Sequence, residues 1–397
     1  MKGIVIIMAF WTCTLFAGND KELFNTNGLK LDIEAEYKAA FKSEQYKFPE
    51  LSVDLYKLYL GVKIDSFFKS RSINGNILVA KDGQIIYKRS DGYANLSEYK
   101  PLDFNSTFQL ASTSKPFTAV AIMQLVENGK VNIDDTVQVY IPEFPYKNIT
   151  VKHLLCHRSG LPDYVKFAST YIKEDTPFDN EDLITLLVNK KPKLLAMPDN
   201  IFDYCNTNYA LLASIVERVS GMKFEDYLKK NVFDPLEMKN SYAFRKGITT
   251  WKPNQTQGYE SNGKIRYHDF MDGVLGDKGV YSTVDDMLKF DQSFYNFKIL
   301  KPESVKMMTT TQTWENSTKG YGLGFRTVSM SDYSRGVYHN GWWKGYSNAF
   351  FRVPEKGITV IILCNKYNSG VYKCATPLVS LMLNTPELPE IEVGGSE

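Results

Sequence analysis

Ser112-Thr113-Ser114-Lys115 places a hydroxyl and an amine three residues apart at the head of an apolar stretch. That stretch, Phe117, Val120, Ala121, Met123, Leu125 and Val126, closes at Gly129 and reads as a helix. Residues three apart share a helix face, which sets the Lys115 ammonium beside the Ser112 hydroxyl. Pro116 fits a first turn, the one part of a helix that tolerates proline. A serine at a helix N-terminus also has unpaired backbone N–H donors and the positive end of the dipole close by. Together these suit a nucleophile attacking a carbonyl whose oxygen turns negative. The spacing alone is common. It recurs at Ser66, Ser97, Ser220 and Ser261, and a capping serine with a surface lysine also produces it.

Two further groupings could complete such a site. Tyr204-Cys205-Asn206 leads into a helix that runs from Tyr209 to Gly221, whereas the same Tyr-x-Asn spacing at Tyr93, Tyr146 and Tyr346 lacks that setting. A phenol, with a pKa of about 10, is a poor base at neutral pH unless a cation stays protonated beside it. A buried tyrosine bonded to a backbone carbonyl is the plainer account of Tyr204. His339-Asn340-Gly341 is the only His-x-Gly in the chain. It ends a β-like stretch, where glycine allows close approach to the backbone.

The elements that must position these residues follow from the periodicity. Residues 28–72 read as helical and polar-rich, ending in an amphipathic run from Leu55 to Phe68. Asn76–Ala80 and Gln84–Tyr87 read as two strands joined by an Asp-Gly turn. Residues 117–245 are mainly helical, and β-like segments return at Gly320–Val328, Gly336–His339, Ser347–Val353 and Ile358–Leu363. A last helix covers Cys374–Leu383. Strands at both ends around a helical middle imply an α+β fold, an antiparallel sheet flanked by helices with an inserted all-helical domain.

In this order the three groupings resemble the serine β-lactamase and penicillin-binding-protein superfamily, in its class C-like branch of esterases, D-amino-acid peptidases and carboxypeptidases. The Ser-x-x-Lys element is a known mark of that superfamily. The resemblance runs from about Asp65 to Leu383 and includes Phe108–Ala119, Ile149–Leu161, Phe233–Met238 and Gly276–Leu288. It implies a β-lactamase/transpeptidase-like domain over 65–385, with a helical subdomain over about 117–270 and a helical lead-in over 18–64. By the same resemblance Ser112 is the acylated nucleophile, Lys115 its neighbouring cation or proton relay, and Tyr204 the general base. Asn206 would orient Lys115 and the substrate amide. The backbone N–H groups of Ser112 and Trp342 would form the oxyanion hole. His339, Asn340 and Gly341 would line the substrate, and no cofactor or metal is implied.

The departures shape the expected activity. His339-Asn340-Gly341 stands where many β-lactamases carry Lys-Thr-Gly, and a histidine near its usual pKa of about 6.5 is largely neutral. Carboxylate recognition is weakened unless Lys344, Lys278 or Arg326 supplies charge, which favours an esterase or peptidase over a dedicated β-lactamase. The alternatives are a D-alanyl-D-alanine carboxypeptidase or D-aminopeptidase on cell-wall peptides, or a catalytically silent binding protein on the same scaffold. Trp342 and Trp343 would wall the pocket against apolar or aromatic acyl groups, or simply pack in the core. His153 and His157 are four residues apart, but no acidic third ligand stands out and His157 matches a structural landmark. His268 has no visible partner. Cys205 is expected to point away from its neighbours.

The chain has 397 residues, 43% of them hydrophobic and 14% aromatic, so a large core is available. A net charge of +2, with no basic stripe, argues against a nucleic-acid partner and leaves a small-molecule or peptide substrate. Met1-Lys2, the apolar Gly3–Ala17 and the polar Asn19-Asp20-Lys21 read as a secretory signal peptide over 1–17, with Leu15-x-Ala17 a plausible cleavage site. Fifteen apolar residues are short for a membrane span, and bulky Phe10-Trp11-Thr12 disfavours a lipoprotein at Cys13. A secreted or periplasmic protein is expected, with no membrane span after cleavage. Cys156, Cys205, Cys364 and Cys374 form no disulfide scaffold, although a Cys364–Cys374 bridge is open. The acidic Pro/Gly tail over 386–397 is expected to be disordered.

Overall fold

A computed structural model of the protein describes residues 49–383 apart from 174, 248, 249 and 333. The expected signal peptide, most of the lead-in and the tail lie outside the described residues. The lead-in is represented by a helix over Pro49–Lys69, whose Leu60, Ile64 and Phe68 are buried. From Leu60 onward the chain forms one compact unit.

Its centre is an eight-stranded antiparallel sheet. The strands are β1 (Gly75–Lys81), β2 (Gln84–Asp91), β3 (Thr313–Trp314), β4 (Lys319–Tyr321), β5 (Arg326–Ser329), β6 (Arg335–Trp343), β7 (Tyr346–Val353) and β8 (Ile358–Cys364), in the order β2-β1-β8-β7-β6-β5-β4-β3. The first hairpin closes through Asp82 and Gly83, at φ +51° and +74°. Two left-handed residues suit the twist of paired strands, and Asp-Gly takes that conformation readily. β8 then zips antiparallel along β1, Ile77 opposite Ile362, so the two ends of the folded unit share one sheet. Every residue of β7 and β8 is buried. Helices Val284–Asn296 and Ala375–Leu383 pack on β8, which explains why its residues are apolar apart from Thr359, whose hydroxyl donates to Asp291.

The helical middle of the chain enters between β2 and β3. Its central helix, Lys115–Glu127, is buried on nearly every side, as a helix apolar all round must be. Phe117 stacks on Phe290 with ring centroids 3.8 Å apart, and burying such a side chain contributes about 1.5–3 kcal/mol. The helix Asn206–Ser220 packs against it and stops at Gly221, whose φ is +70°.

Two expectations needed correction, and one small sheet went unread. Gly320–Val328 is not one strand but two, β4 and β5, because Gly322 lies against the Met308 carbonyl and Gly324 turns at φ +87°. His339-Asn340-Gly341 lies inside β6 rather than at the end of a strand, since the aromatic pair Trp342-Trp343 continues the pairing with β7. A small sheet of Phe108–Gln109, Tyr242–Ala243 and Val280–Ser282 had no counterpart in the sequence reading.

Candidate active site

Ser112 lies on a single 3-10 turn, Ala111–Ser114, that runs directly into the central helix at Lys115. Ala111 holds φ +51° in a fully buried position. A left-handed alanine costs roughly 1–2 kcal/mol and persists only where its surroundings over-determine it. The surroundings do so here. Leu110 N–H donates to the Val280 carbonyl (2.8 Å), and Val280 N–H donates to Ser114 Oγ (3.1 Å). On the other side β6 presses on the turn, with Thr113 Oγ1 donating to the His339 carbonyl at 3.3 Å. A side chain at Gly341 would meet the Leu110 carbonyl oxygen at 2.1 Å and Thr113 Oγ1 at 2.9 Å. Glycine is therefore required for the strand to lie against the Ser112 turn.

Lys115 is fully buried. Its Nζ donates to Ser112 Oγ (3.1 Å), Asn206 Oδ1 (2.8 Å) and the Asp277 carbonyl (3.0 Å), which uses all three ammonium protons. It also lies 4.9 Å from the centroid of the Tyr204 ring. Asn206 is fixed in orientation, because its Nδ2 donates to Asp163 Oδ2 at 2.9 Å while its oxygen takes the lysine. Asp163 is itself partly buried, and loss of solvent around its carboxyl raises its pKa above the ordinary range. The structure thus brings Ser112, Lys115, Tyr204 and Asn206 into one cluster.

Tyr204 is held from behind by His157. The imidazole lies 4.3 Å from the phenol ring, centroid to centroid. His157 Nδ1 accepts from Cys205 N–H (3.1 Å), and the His157 carbonyl accepts from Asp203 N–H (2.9 Å), so one residue brackets Tyr204 on both sides. Arg326 completes the enclosure, its guanidinium carbon 5.1 Å from the Tyr204 ring centroid and its Nη1 3.0 Å from Glu315 Oε2.

β6 divides the remaining predicted residues. His339 and Gly341 face the Ser112 turn, and alternation puts the Asn340 and Trp342 side chains on the opposite face. Those two can reach the site only through their backbone groups. Trp342 is 55% exposed and stands beside Tyr367 with centroids 6.0 Å apart. Trp343 shares the face of Gly341, where its indole N–H donates to Asp272 Oδ1 (2.7 Å) with the ammoniums of Lys278 and Lys344 each about 5 Å from the ring. Burial alone would raise the Asp272 carboxyl, but bonding to His268, the Lys278 charge and the Trp343 indole hold it at about 2. His268 thus has partners after all, Asp272 Oδ1 at 3.2 Å and the Tyr281 hydroxyl at 3.2 Å. Lys278 pairs with Asp277 (3.4 Å) and the Tyr164 hydroxyl, and Lys344 pairs with Asp269.

The cysteines take no part. Cys205 is buried with its thiol on the Leu161 carbonyl (3.3 Å), and burial pushes its pKa far up. Cys364 and Cys374 are both free thiols. His153 bonds to Thr150 N–H in a helix cap, apart from the partners of His157.

His339 donates from Nδ1 to the Asn340 carbonyl (2.7 Å) and accepts at Nε2 from the Tyr321 hydroxyl (3.1 Å). Burial first, then the charges of Lys115 and Arg326, hold both His339 and His157 well below the usual imidazole pKa. Unfolded chains protonate these rings below pH about 6.5 while the folded protein does not, so stability falls as the pH drops through that value. Each ring contributes up to about 1.4 kcal/mol per pH unit. The urea midpoint is expected to fall between pH 7.5 and 5.5, and His339→Gln should flatten that slope. A midpoint independent of pH across this range would contradict the neutral-imidazole assignment.

Sequence reasoning missed Asp163, the Asp277 carbonyl and the Asp272–Trp343 pair. Asp277 stood in a stretch already singled out by resemblance, but its contribution is a backbone oxygen, which residue type cannot reveal. Asp163 carried no signal.

With this geometry in view, comparison with known proteins settles the class. A family model described as Beta-lactamase matches residues 63–379. The chain is 32% identical over 331 residues to penicillin-binding protein 4* of Bacillus subtilis, covering 80% of this chain and 73% of that one. It is 25% identical over 325 residues to a D-aminopeptidase of Brucella anthropi, covering 80% of this chain and 61% of the other. The octameric penicillin-binding protein homologue of Pyrococcus abyssi shares the fold with a TM-score of 0.72 and 29% identity, over 83% of this chain and 79% of that one. The chain belongs to the β-lactamase family. It is a β-lactamase-related serine hydrolase with the β-lactamase/transpeptidase-like fold. No helix among the described residues is long and apolar enough to cross a membrane.

Proposed function

We propose that the protein is an exported hydrolase that cleaves an ester or amide through an acyl-enzyme on Ser112. One observation carries the reading: the buried Lys115 ammonium touches Ser112 Oγ and Asn206 Oδ1 and lies beside the Tyr204 ring. Tyr204 takes the Ser112 proton as Oγ bonds to the substrate carbonyl carbon. The resulting oxyanion is met by the backbone N–H groups of Ser112 and Trp342. Collapse breaks the bond to the leaving group, which receives the proton from Tyr204, and water then hydrolyses the acyl-enzyme by the same steps in reverse. The Lys115 ammonium, bonded to Ser112 Oγ and beside the Tyr204 ring, attracts the negative charge that develops between them in the transition state. Asn206, held by Asp163, keeps Lys115 in register and offers its amide edge to the substrate, with His339, Asn340 and Gly341 alongside.

A neutral His339 gives a substrate carboxylate no charge to meet, which favours uncharged ester or amide ends. Arg326 favours a second reading. Lys278 and Lys344 are committed to Asp277 and Asp269, whereas Arg326 reaches the Tyr204 ring from the β5 side. A carboxylate exchanged for Glu315 on Arg326 would suit a D-alanyl-D-alanine carboxypeptidase; the likeness to D-aminopeptidases supports amide cleavage at D-residues.

Fluorophosphonate labelling followed by peptide mapping tests the core of this reading, with the adduct expected on Ser112. An adduct elsewhere, or none on folded protein, would overturn it. Turnover of a nitrophenyl ester, a D-amino-acid amide, a D-Ala-D-Ala peptide and a cephalosporin then separates the substrate classes.

A further inference from the structure

Tyr372 lies on a 3-10 turn, Ser369–Lys373, that packs on β7 and belongs to none of the elements discussed above. Asn368 fixes this turn: its Oδ1 accepts from Gly370 N–H (2.9 Å), its Nδ2 donates to the Ser72 carbonyl (3.0 Å), and its N–H donates to Ser347 Oγ (3.1 Å). From there the Tyr372 hydroxyl donates to the Gly341 carbonyl oxygen at 3.2 Å. That carbonyl belongs to the same peptide unit as the Trp342 N–H. No peptide bond in the described chain is cis, so the two groups point in opposite directions.

The two directions differ in what they meet. β7 covers β6 along one edge as far as Trp343. On the other edge β5 pairs with β6 only from Arg335 to Tyr338, so residues 339–343 have no strand partner there. Tyr372 approaches from the β7 side, and a carbonyl held toward it turns the Trp342 N–H to the open edge.

From this geometry we infer that Tyr372 is a positioning residue for the Gly341–Trp342 peptide, holding the Trp342 N–H as an oxyanion donor. The inference rests on the acyl-enzyme reading above. A hydrogen bond to the carbonyl also polarises the peptide and strengthens its N–H as a donor. Burial pushes the Tyr372 phenol well above the ordinary tyrosine range, so the hydroxyl keeps its proton across any working pH.

Tyr372→Phe keeps the ring and removes only the hydroxyl. Loss of one such bond is expected to lower kcat on a nitrophenyl ester about five-fold, with KM unchanged. The decisive readout is the ratio of kcat on the ester to kcat on its thionoester, in which sulfur replaces the carbonyl oxygen. Aimed N–H donors stabilise an oxygen anion better than a sulfur anion, so the variant should shrink that ratio about as much as it lowers kcat. A thermal midpoint near wild type shows that the variant is folded. An unchanged ratio, with both substrates slowed alike or neither slowed, would overturn the inference. Hydrolysis that survives Ser112→Ala in the wild-type background would instead remove the acyl-enzyme reading, and the inference with it.

Discussion

Ser112→Ala is expected to lower kcat on a nitrophenyl ester by at least about 10³-fold and to abolish covalent labelling. The oxyanion donors and the binding surfaces survive the change, so a small residual rate over the uncatalysed reaction should remain. Stability should hardly move. The Lys115 ammonium keeps Asn206 Oδ1 and the Asp277 carbonyl as acceptors, and the alanine fits a turn already set by Leu110, Val280 and Gly341. Steady-state kinetics paired with urea unfolding checks both halves. Turnover within ten-fold of wild type in the folded variant would mean that another group does the chemistry.

Lys115→Met is the companion experiment, with the opposite stability signature. Methionine fills much of the same volume but supplies no proton donor and no charge. Asn206 Oδ1 and the Asp277 carbonyl lose their donor inside the protein, at a cost of about 1–3 kcal/mol for each group left unsatisfied. Ser112 Oγ and the Tyr204 ring also lose the cation that lies beside them. Acylation is expected to slow by about 10³-fold while the urea midpoint drops. Single-turnover measurement isolates the acylation step from binding. An acylation rate near wild type would show that the base works without the ammonium.

Parts of this architecture were plain in the sequence. Asp82-Gly83 between two apolar runs specifies a hairpin locally, because the turn's backbone and its residue types depend on nothing distant. The Ile358–Leu363 run signals a strand covered on both faces, and the stretch after Pro116 signals a buried helix. The two- and three-residue strands at Phe108, Tyr242 and Val280 were illegible, since so short a segment becomes a strand only by finding partners far along the chain. The break at Gly322–Gly324 was hidden for a related reason: the Met308 carbonyl that forbids a side chain at Gly322 comes from a different element.

The site shows the same division. Ser112 and Lys115 could be paired from helix geometry, and Tyr204, Asn206 and His339 by their order and by resemblance. Their supports could not. His157 holds Tyr204 through its ring and through bonds to two flanking amides, and Asp163 fixes Asn206 by a contact across 43 residues of chain. The strand alternation that turns Asn340 and Trp342 away from Ser112 needed the position of Gly341 to fix its phase. Spacing names the candidate groups; packing decides which atoms of each face the cluster.

The three bonds of the Lys115 amine carry a last consequence. They join stretches separated by 91 and 162 positions along the polypeptide, and no fragment that stops short of Asp277 possesses all three. On the acyl-enzyme proposal, a chain still threading out of its birthplace therefore holds a harmless alcohol until Asp277 has emerged and closed on that nitrogen.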